Sequence, residues 1–331
     1  MTDSAHAEMT AQDLARQVLA GDRRSLAKAI TLCESTKRQD EALIDELLIS
    51  LMPKSGRSIR IGVSGPPGAG KSTFIEAFGN LLIKNGQRLA VLAIDPSSPV
   101  SGGSIMGDKT RMETLAVSPL AFIRPSPSGI VQGGVARHTR ESILVCEAAS
   151  YDFVIVETVG VGQSDIIVAS MVDIFIMLQQ PHGGDELQGI KRGILELADI
   201  ICVTKADGTT ANGARITKGE LERALSFGFG QRDKPAQIFL VSSIEKFGLD
   251  SVTDAVKTFA SSAKTSGEWV NRRQSQARSW FDDEITEVIR LRLRDSQRLD
   301  LEFKKVESDV QSQRLPASVA ARRLVDQILK N

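Results

Sequence analysis

The sequence has little of what marks secreted, membrane-spanning or thiolate-metal proteins. Its cysteines, Cys33, Cys146 and Cys202, lie far apart and show no metal-binding spacing, so reduced thiols in a cytoplasmic protein are expected. No apolar run approaches the ~20 residues that span a bilayer. The N-terminal residues carry acids and lack the apolar stretch of a secretory signal. Neither membrane insertion nor export is therefore expected.

The sequence also lacks net charge. Lysine plus arginine and aspartate plus glutamate each number 41, so no overall basic field attracts nucleic acid or an anionic membrane surface. Apolar residues make up 41% and charged residues 25% of the chain, which is ordinary for a globular protein. A length of 331 residues allows one large α/β domain with helical additions, or two ordinary domains.

Short apolar runs alternate with helical segments from about Arg57 to Ser262. This alternation predicts an α/β fold with a mostly parallel sheet and helices on both faces. Several runs are apolar throughout, as expected of strands that are buried on both faces. The predicted strands are RIGVS (60–64), LAVLAID (89–95), LAFIR (120–124), FVIVE (153–157), DIFIML (173–178), DIICVT (199–204) and IFLVS (238–242).

Helical segments flank this region on both sides. Ala11 to Met52 has the apolar spacing of three short amphipathic helices, and the sequence beyond about Lys264 is arginine-rich and helical. We predict an N-terminal helical extension (1–56), an α/β domain (57–262) and a C-terminal helical arm (263–331). One apolar stripe of the arm consists of Phe281, Ile285, Val288, Ile289 and Leu293. Such a stripe is expected to pack either on the α/β domain or in a dimer interface.

The stretch Gly65–Ser72 (GPPGAGKS) matches the phosphate-binding loop pattern G-x-x-x-x-G-K-[ST] at every fixed position. It lies between a predicted strand and a predicted helix, which is the order that this loop requires. In such a loop the backbone N–H groups face phosphate oxygens, Lys71 reaches the β- and γ-phosphates, and Ser72 holds Mg²⁺. The match predicts a P-loop NTPase. Its phosphate-binding residues would be Gly65, Pro66, Pro67, Gly68, Ala69, Gly70, Lys71, Ser72 and Thr73.

A second motif indicates which base is bound. Thr204-Lys205-Ala206-Asp207 ends a predicted strand and resembles the Asn-Lys-x-Asp guanine-reading motif, with threonine in the first place. Asp207 would accept hydrogen bonds from two N–H groups that guanine has and adenine lacks, and the stem of Lys205 would lie along the base. The end of the last strand, at Ser242, Ser243 and Ile244, is where GTPases place a further base-contacting loop. We therefore predict that the chain binds GTP and GDP.

Three acids are candidates for Mg²⁺ binding and hydrolysis. Asp95 and Glu157 close predicted strands, at the edge where open α/β sheets bind ligands, and Asp108 lies in a glycine-rich stretch. Mg²⁺ takes one or two carboxylates together with waters and phosphate oxygens, so which acid binds directly stays open. The predicted metal ligands are Ser72, Asp95, Asp108 and Glu157, and the predicted catalytic residues are Lys71, Asp108 and Glu157.

Two glycine-bearing segments, Gly102–Arg111 and Gln180–Lys191, carry charges that a core does not need. Loops of this kind can order around a γ-phosphate and release after hydrolysis. His182 is either a general base or an ordinary surface residue, and the sequence does not decide between them. Gln163 is a candidate for orienting the attacking water. His138 receives no role.

The chain contains in this order GPPGAGKST, AIDPSSPVSGGSIMGDKTRM, VETVGVGQSD and TKAD, flanked by helical extensions. Together these motifs resemble the MeaB/ArgK family of P-loop GTPases over essentially the whole chain. The resemblance implies a slow GTPase that binds an adenosylcobalamin-dependent methylmalonyl-CoA mutase, gates loading of the cofactor and protects the mutase. It also implies a homodimer formed through the C-terminal arm, and a role for Gln180–Lys191 as an extra switch that responds to the partner.

Two other functions stay open from the residues alone. A P-loop kinase or ATPase associated with small-molecule transport would share the loop but bind adenine. A non-catalytic scaffold would bind the nucleotide without turnover. Comparing the affinities for GDP and ADP distinguishes the kinase or ATPase from a GTPase. Measuring nucleotide turnover distinguishes the scaffold from a GTPase.

Overall fold

The computed structural model describes residues 9–94, 112–125, 132–158, 163–181, 192–226, 235–295 and 297–329. Its central element is a seven-stranded sheet in which neighbouring strands pair in parallel. The strands are β1 (Ile59–Ser64), β2 (Leu89–Ile94), β3 (Ala121–Arg124), β4 (Phe153–Thr158), β5 (Ile174–Gln179), β6 (Ile200–Val203) and β7 (Gln237–Leu240). The predicted α/β fold is confirmed, and each predicted apolar run overlaps one of these strands, with ends that differ by at most two residues.

The strand order, β3-β2-β4-β1-β5-β6-β7, places β1 between β4 and β5. The chain therefore continues from β1 to one half of the sheet and later returns to build the other half. Ligands of open parallel sheets bind at such a switch point, beyond the carboxyl ends of the strands. The register sets Val63 beside Glu157 and Ser64 beside Met177. The loop after β1 thus begins between the ends of β4 and β5.

Helices form both outer layers and the two flanking segments. The described α-helices are α1 (Ala11–Leu19), α2 (Arg23–Cys33), α3 (Glu41–Leu51), α4 (Lys71–Lys84), α5 (Glu113–Val117), α6 (Gln132–Ala148), α7 (Gln163–Ala169), α8 (Arg192–Leu197), α9 (Ala211–Ser226), α10 (Leu249–Ser266), α11 (Glu268–Asp295), α12 (Gln297–Gln311) and α13 (Ala317–Leu329). Short 3-10 helices cover Arg38–Asp40, Met52–Lys54 and Gly208–Thr210.

Alternate side chains of the buried strands pack into two hydrophobic clusters, one on each face of the sheet. Val156 of β4 belongs to a cluster that also contains Leu26 of α2 and Leu47 of α3. The next residue back, Ile155, belongs to the other cluster, together with Phe78 of α4. The three N-terminal helices therefore share a core with the sheet, because their apolar faces complete one of its two layers.

A buried ion-pair network lies at the amino end of the sheet, opposite the edge where ligands bind. Glu147, at the end of α6, accepts hydrogen bonds from the Arg60 guanidinium at 2.8 Å and from the Ser58 hydroxyl at 2.8 Å. Arg273 of α11 binds both carboxylate oxygens of Asp173, at 2.8 and 2.6 Å. Burial raises the pKa of Glu147, but the hydrogen bond and charge of Arg60, with Arg273 and Ser58, outweigh it, and the pKa is lowered. These contacts fasten the start of α11 to the sheet.

The chain divides into two compact units, Met1–Arg273 and Gln274–Asn331. The second unit holds the rest of α11 with α12 and α13. Along α11, Phe281, Ile285, Val288 and Ile289 are exposed. The three-part division at residues 56 and 262 stays a prediction. Among the described residues, none of the helices combines the length and apolar character needed to cross a bilayer.

Candidate nucleotide-binding site

The predicted phosphate-binding loop connects the end of β1, at Ser64, to the start of α4, at Lys71. A Cβ atom on Gly65 would lie 2.6 Å from the carbonyl oxygen of Leu178, so only glycine lets the loop pass this close to β5. Gly70 has a left-handed φ of 83° and forms the N-cap of α4. The N–H groups of the first turn of α4 follow directly, and such groups bind anions.

Lys71 is half-buried at the first position of α4. Its ammonium donates hydrogen bonds to the carbonyl oxygens of Gly65 at 2.7 Å and Pro66 at 3.3 Å, so it lies over the loop. Burial lowers the pKa of Lys71, and the charges of Glu157 and Asp165 oppose that shift. The two acids thus favour the charged form of the lysine, which is the form that binds phosphate oxygens.

Two of the four predicted metal ligands face each other. The Ser72 hydroxyl donates to Glu157 Oε1 at 3.3 Å, and Glu157 is buried at the end of β4. Asp95 and Asp108 lie outside the described residues. Within the described part of the chain, no cluster of three His, Cys, Asp or Glu residues is placed to hold a metal ion. A hydroxyl and a carboxylate nevertheless fit Mg²⁺, which draws its remaining ligands from water and phosphate.

Thr204 joins the predicted base-reading segment to the phosphate loop. It follows β6, is buried, and its hydroxyl lies within donating distance of the carbonyl oxygens of Ala69, at 2.9 Å, and Gln179, at 3.1 Å. Ala69 belongs to the phosphate loop and Gln179 ends β5. Threonine in the first place of the motif therefore holds two neighbouring segments together.

Asp207 is held by the segment that follows β7. The Ser242 hydroxyl donates to Asp207 Oδ2, and the backbone N–H of Ala206 donates to the carbonyl oxygen of Val241 at 3.0 Å. Ser242 is fully buried, whereas Asp207 is half-buried. The structure thus brings together two segments that the sequence separates by more than thirty residues, and it fixes the orientation of the carboxylate through one of its oxygens.

A glutamine bridges the two halves of the site. Gln180 Nε2 donates to the carbonyl oxygen of Pro67 at 2.9 Å, and Gln180 Oε1 accepts from Lys205 Nζ at 3.3 Å. Lys205 has a φ of 53°, a left-handed conformation that is uncommon outside glycine. The first residue of the predicted partner-responsive segment therefore contacts both the phosphate loop and the predicted base-reading lysine.

The other predicted residues either lie near the carboxyl ends of the strands or fall outside the described residues. Pro67, Gly68 and Thr73 are exposed, Ser243 is half-buried, and Ile244 is 81% exposed. His182 falls outside the described residues, as does the side chain of Gln163. His138 is buried, with Nδ1 2.5 Å from the carbonyl oxygen of Cys33, so it packs α6 against α2.

Sequence reasoning missed a cluster of three fully buried polar residues, Ser64, Thr158 and Asp165. The Thr158 hydroxyl lies 3.0 Å from both Ser64 Oγ and Asp165 Oδ1, and Ser64 donates to the same Asp165 oxygen. A signal was present, because Ser64 directly precedes the phosphate loop and Thr158 directly follows Glu157. Polar residues that end otherwise apolar strands call for buried partners.

The central β1, the phosphate loop after it and the Thr-Lys-x-Asp segment after β6 define a P-loop NTPase of the guanine-nucleotide-binding kind. Comparison with protein families makes this more specific. Residues 26–297 match the family described as methylmalonyl Co-A mutase-associated GTPase MeaB. The chain belongs to this family, and it is a GTPase.

Individual relatives agree with this assignment. GTPase ArgK of Escherichia coli (strain K12) is 47% identical over 85% of this chain and 86% of its own. A mitochondrial methylmalonic aciduria type A homolog of Mus musculus is 44% identical over 82% of this chain and 68% of its own. The crystal structure of a LAO/AO transport system kinase superposes with a TM-score of 0.75 at 38% identity, covering 98% of this chain and all of the other.

Proposed function

We propose that the chain is a Mg²⁺-dependent GTPase that acts as a chaperone for an adenosylcobalamin-dependent methylmalonyl-CoA mutase. Its GTPase cycle would be coupled to loading of the cofactor and to protection of the mutase. The family description names an association with methylmalonyl-CoA mutase, and the mouse relative carries the name of methylmalonic aciduria. The family description and the name of the mouse relative both support a methylmalonyl-CoA mutase as the partner of this chain.

The observation that carries the nucleotide part of the proposal is the fixed carboxylate of Asp207. Ser242 holds one of its oxygens, and Thr204 and Gln180 hold the surrounding segment against the phosphate loop. A carboxylate oriented in this way can accept the two N–H groups that distinguish guanine from adenine. We assign the base to Thr204, Lys205, Asp207 and Ser242–Ile244.

For hydrolysis, we assign Lys71 to the β- and γ-phosphates and Ser72 with Glu157 to Mg²⁺. Asp95 and Asp108 are also assigned to Mg²⁺, and this assignment rests on the resemblance alone. Bound Mg²⁺ would neutralise charge on the phosphate oxygens. The chain's own part is to hold the triphosphate with backbone N–H groups and the Lys71 ammonium, because phosphoryl transfer depends mainly on positioning and electrostatics.

The C-terminal arm is proposed to form a homodimer. Its helix α11 exposes Phe281 and Ile289 by 64% and 52%, together with two further apolar residues on the same stripe. An apolar stripe of this kind is typical of a helix that pairs with another copy.

The segment beginning at Gln180 is proposed to report the nucleotide state to the mutase. The contacts of Gln180 with Pro67 and Lys205 support this proposal.

A second candidate function is a kinase or ATPase associated with small-molecule transport. It is favoured by the name of the solved structure that matches this chain, a LAO/AO transport system kinase. It predicts that ADP binds as tightly as GDP in the presence of Mg²⁺. Titration of both nucleotides separates the two candidates, and equal affinity would remove the guanine assignment.

The chaperone role is tested with a purified methylmalonyl-CoA mutase, as apoenzyme and as holoenzyme. Complex formation is measured by size-exclusion chromatography with GDP and with a non-hydrolysable GTP analogue, and cofactor transfer by the cobalamin spectrum. We expect the complex and the rate of cofactor loading to depend on the nucleotide. The variant Asp207→Asn is the control, since it should lose the response to GTP. No complex with any nucleotide would reject the chaperone role and leave the GTPase assignment standing.

A further inference from the structure

The cluster of Ser64, Thr158 and Asp165 contains a buried carboxylate that none of the roles above uses. Asp165 lies in the first turn of α7 and is fully buried. Its Oδ1 accepts hydrogen bonds from both hydroxyls of the cluster. Burying a carboxylate is costly unless hydrogen bonds and nearby positive charge offset the loss of water. A buried carboxylate at this position therefore suggests a role other than packing.

The contacts of Asp165 with Ser64 and Thr158 lead to two parts of the GTPase site. Ser64 is covalently joined to Gly65, the first residue of the phosphate loop. Thr158 directly follows Glu157, whose carboxylate faces the Ser72 hydroxyl at 3.3 Å. The charge of Asp165 also counters the lowering of the pKa of Lys71. One carboxylate is thus linked to the loop, to the candidate Mg²⁺ ligand and to the phosphate-binding lysine.

We propose that Asp165 is a positioning residue for GTP hydrolysis, whose carboxylate fixes the end of β1, the end of β4 and the first turn of α7 in one arrangement. In that arrangement Lys71 and Glu157 keep the relative position that phosphoryl transfer needs. Asp165 acts through Ser64 and Thr158 and does not touch the nucleotide. If the cluster only stabilised the fold, its loss would lower stability and leave the rate of hydrolysis unchanged.

Thr158 allows a test that spares the fold. Thr158→Val keeps the shape of the side chain and removes the hydroxyl, whereas the matched control Thr158→Ser keeps the hydroxyl and removes a methyl group. We expect Thr158→Val to lower kcat about 10-fold while KM for GTP changes less than about threefold, as for other residues that orient a reacting site indirectly. Thr158→Ser should keep kcat within about twofold.

Asp165→Asn tests the carboxylate itself, and we expect kcat to fall about 10- to 100-fold. The double variant with Ser64→Ala should be no slower than Asp165→Asn alone, because both changes break the same contact. Asp173→Asn is the control: Asp173 is similarly buried but binds Arg273 at the opposite edge of the sheet, so it should lower the melting temperature and leave kcat unchanged. Wild-type kcat in Thr158→Val, or equal kinetic effects of Asp165→Asn and Asp173→Asn, would overturn the proposal.

Discussion

Replacing Asp207 with asparagine should shift the base preference from guanine to xanthine. The Ser242 hydroxyl donates to Asp207 Oδ2, and Ser242 Oγ itself accepts from the backbone N–H of Glu245 at 3.0 Å. That N–H takes one of the two lone pairs of the hydroxyl oxygen, and Asp207 is the acceptor of the hydroxyl proton, so we expect Ser242 to keep donating at this place. It will therefore keep the amide oxygen of Asp207→Asn in the place of Oδ2, and the amide NH₂ group will stand in the place of Oδ1.

The size of the shift follows from the hydrogen bonds. The carboxylate accepts from two N–H groups of guanine, whereas the oriented amide accepts from one and meets the other with a donor. Xanthine has a carbonyl oxygen in place of the exocyclic amine and accepts from that donor. A hydrogen bond to a charged group contributes about 1.5–3 kcal/mol, so GDP should lose about 10- to 150-fold in affinity. The neutral hydrogen bond that XDP gains adds about 0.5–1.5 kcal/mol, so the GDP-to-XDP preference should change about 30- to 2,000-fold.

The assay is competition between GDP and XDP at fixed Mg²⁺ for the wild type and for Asp207→Asn. The double variant Asp207→Asn with Ser242→Ala is the control, because without the serine the amide is free to turn and the gain in XDP affinity should shrink. An unchanged GDP-to-XDP ratio in Asp207→Asn would refute the assignment of Asp207 to the base. A gain in XDP affinity that survives Ser242→Ala would refute the argument that Ser242 sets the orientation.

Three further predictions concern the phosphate, the ion-pair network and the arm. Lys71→Ala should lower kcat for GTP about 10²- to 10³-fold in a phosphate-release assay, because a preorganised charge at the transferring phosphate is lost. Glu147→Gln should cost about 3–5 kcal/mol at pH 7 in urea unfolding, since it leaves Arg60 buried without its anion. The pKa of Glu147 lies below its ordinary value of 4.5, so this difference from the wild type should be full above pH 4.5 and shrink as the pH falls through the lowered pKa. Ile289→Asp should give a monomer in sedimentation velocity and leave GDP affinity unchanged, because α11 carries this residue in the second compact unit.

Each of these has an outcome that contradicts it. Near-wild-type turnover in Lys71→Ala removes that lysine from catalysis. A stability difference for Glu147→Gln that is the same at pH 7 and pH 3.5 shows that the charge of Glu147 does not stabilise the fold. A dimeric Ile289→Asp variant, with Ile216→Asp on α9 as the control for an exposed isoleucine outside the arm, places the interface elsewhere.

The strands and the motifs were accessible from the sequence because they depend on local patterns. Buried parallel strands read as apolar runs such as FVIVE, and the phosphate loop needs glycine at positions such as Gly70, where φ is left-handed. The alternation of apolar runs with helical segments predicted the α/β class, and the phosphate loop lay in the expected order between a strand and a helix. Asp95 and Asp108 stay predictions, because they lie outside the described residues.

The contacts that hold the site together were not accessible in the same way. Asp165 and Ser64 are 101 residues apart, and Thr204 and Ala69 are 135 apart. No periodicity relates such pairs, because the strand order and not the sequence spacing brings them together. Gln180 was predicted only as the start of a responsive segment, and its position between Pro67 and Lys205 follows from β5 lying beside β1.

These long-range contacts make base recognition and phosphate binding parts of one assembly. At the carboxyl edge, Ser64 at the end of β1 and Thr158 at the end of β4 both donate to Asp165 Oδ1, and Gln180 bonds the loop after β1 from the end of β5. Thr204 then joins β6 to β5, and the backbone of Ala206 joins the segment after β6 to that after β7. Neighbouring strand ends from β4 to β7 are thus linked by hydrogen bonds outside the strand ladders, and Asp165 is the intermediate between β4 and β1. A path of contacts thus runs from the phosphate loop to Gln180, and the proposed reporting role of the segment that begins there depends on a path of this kind.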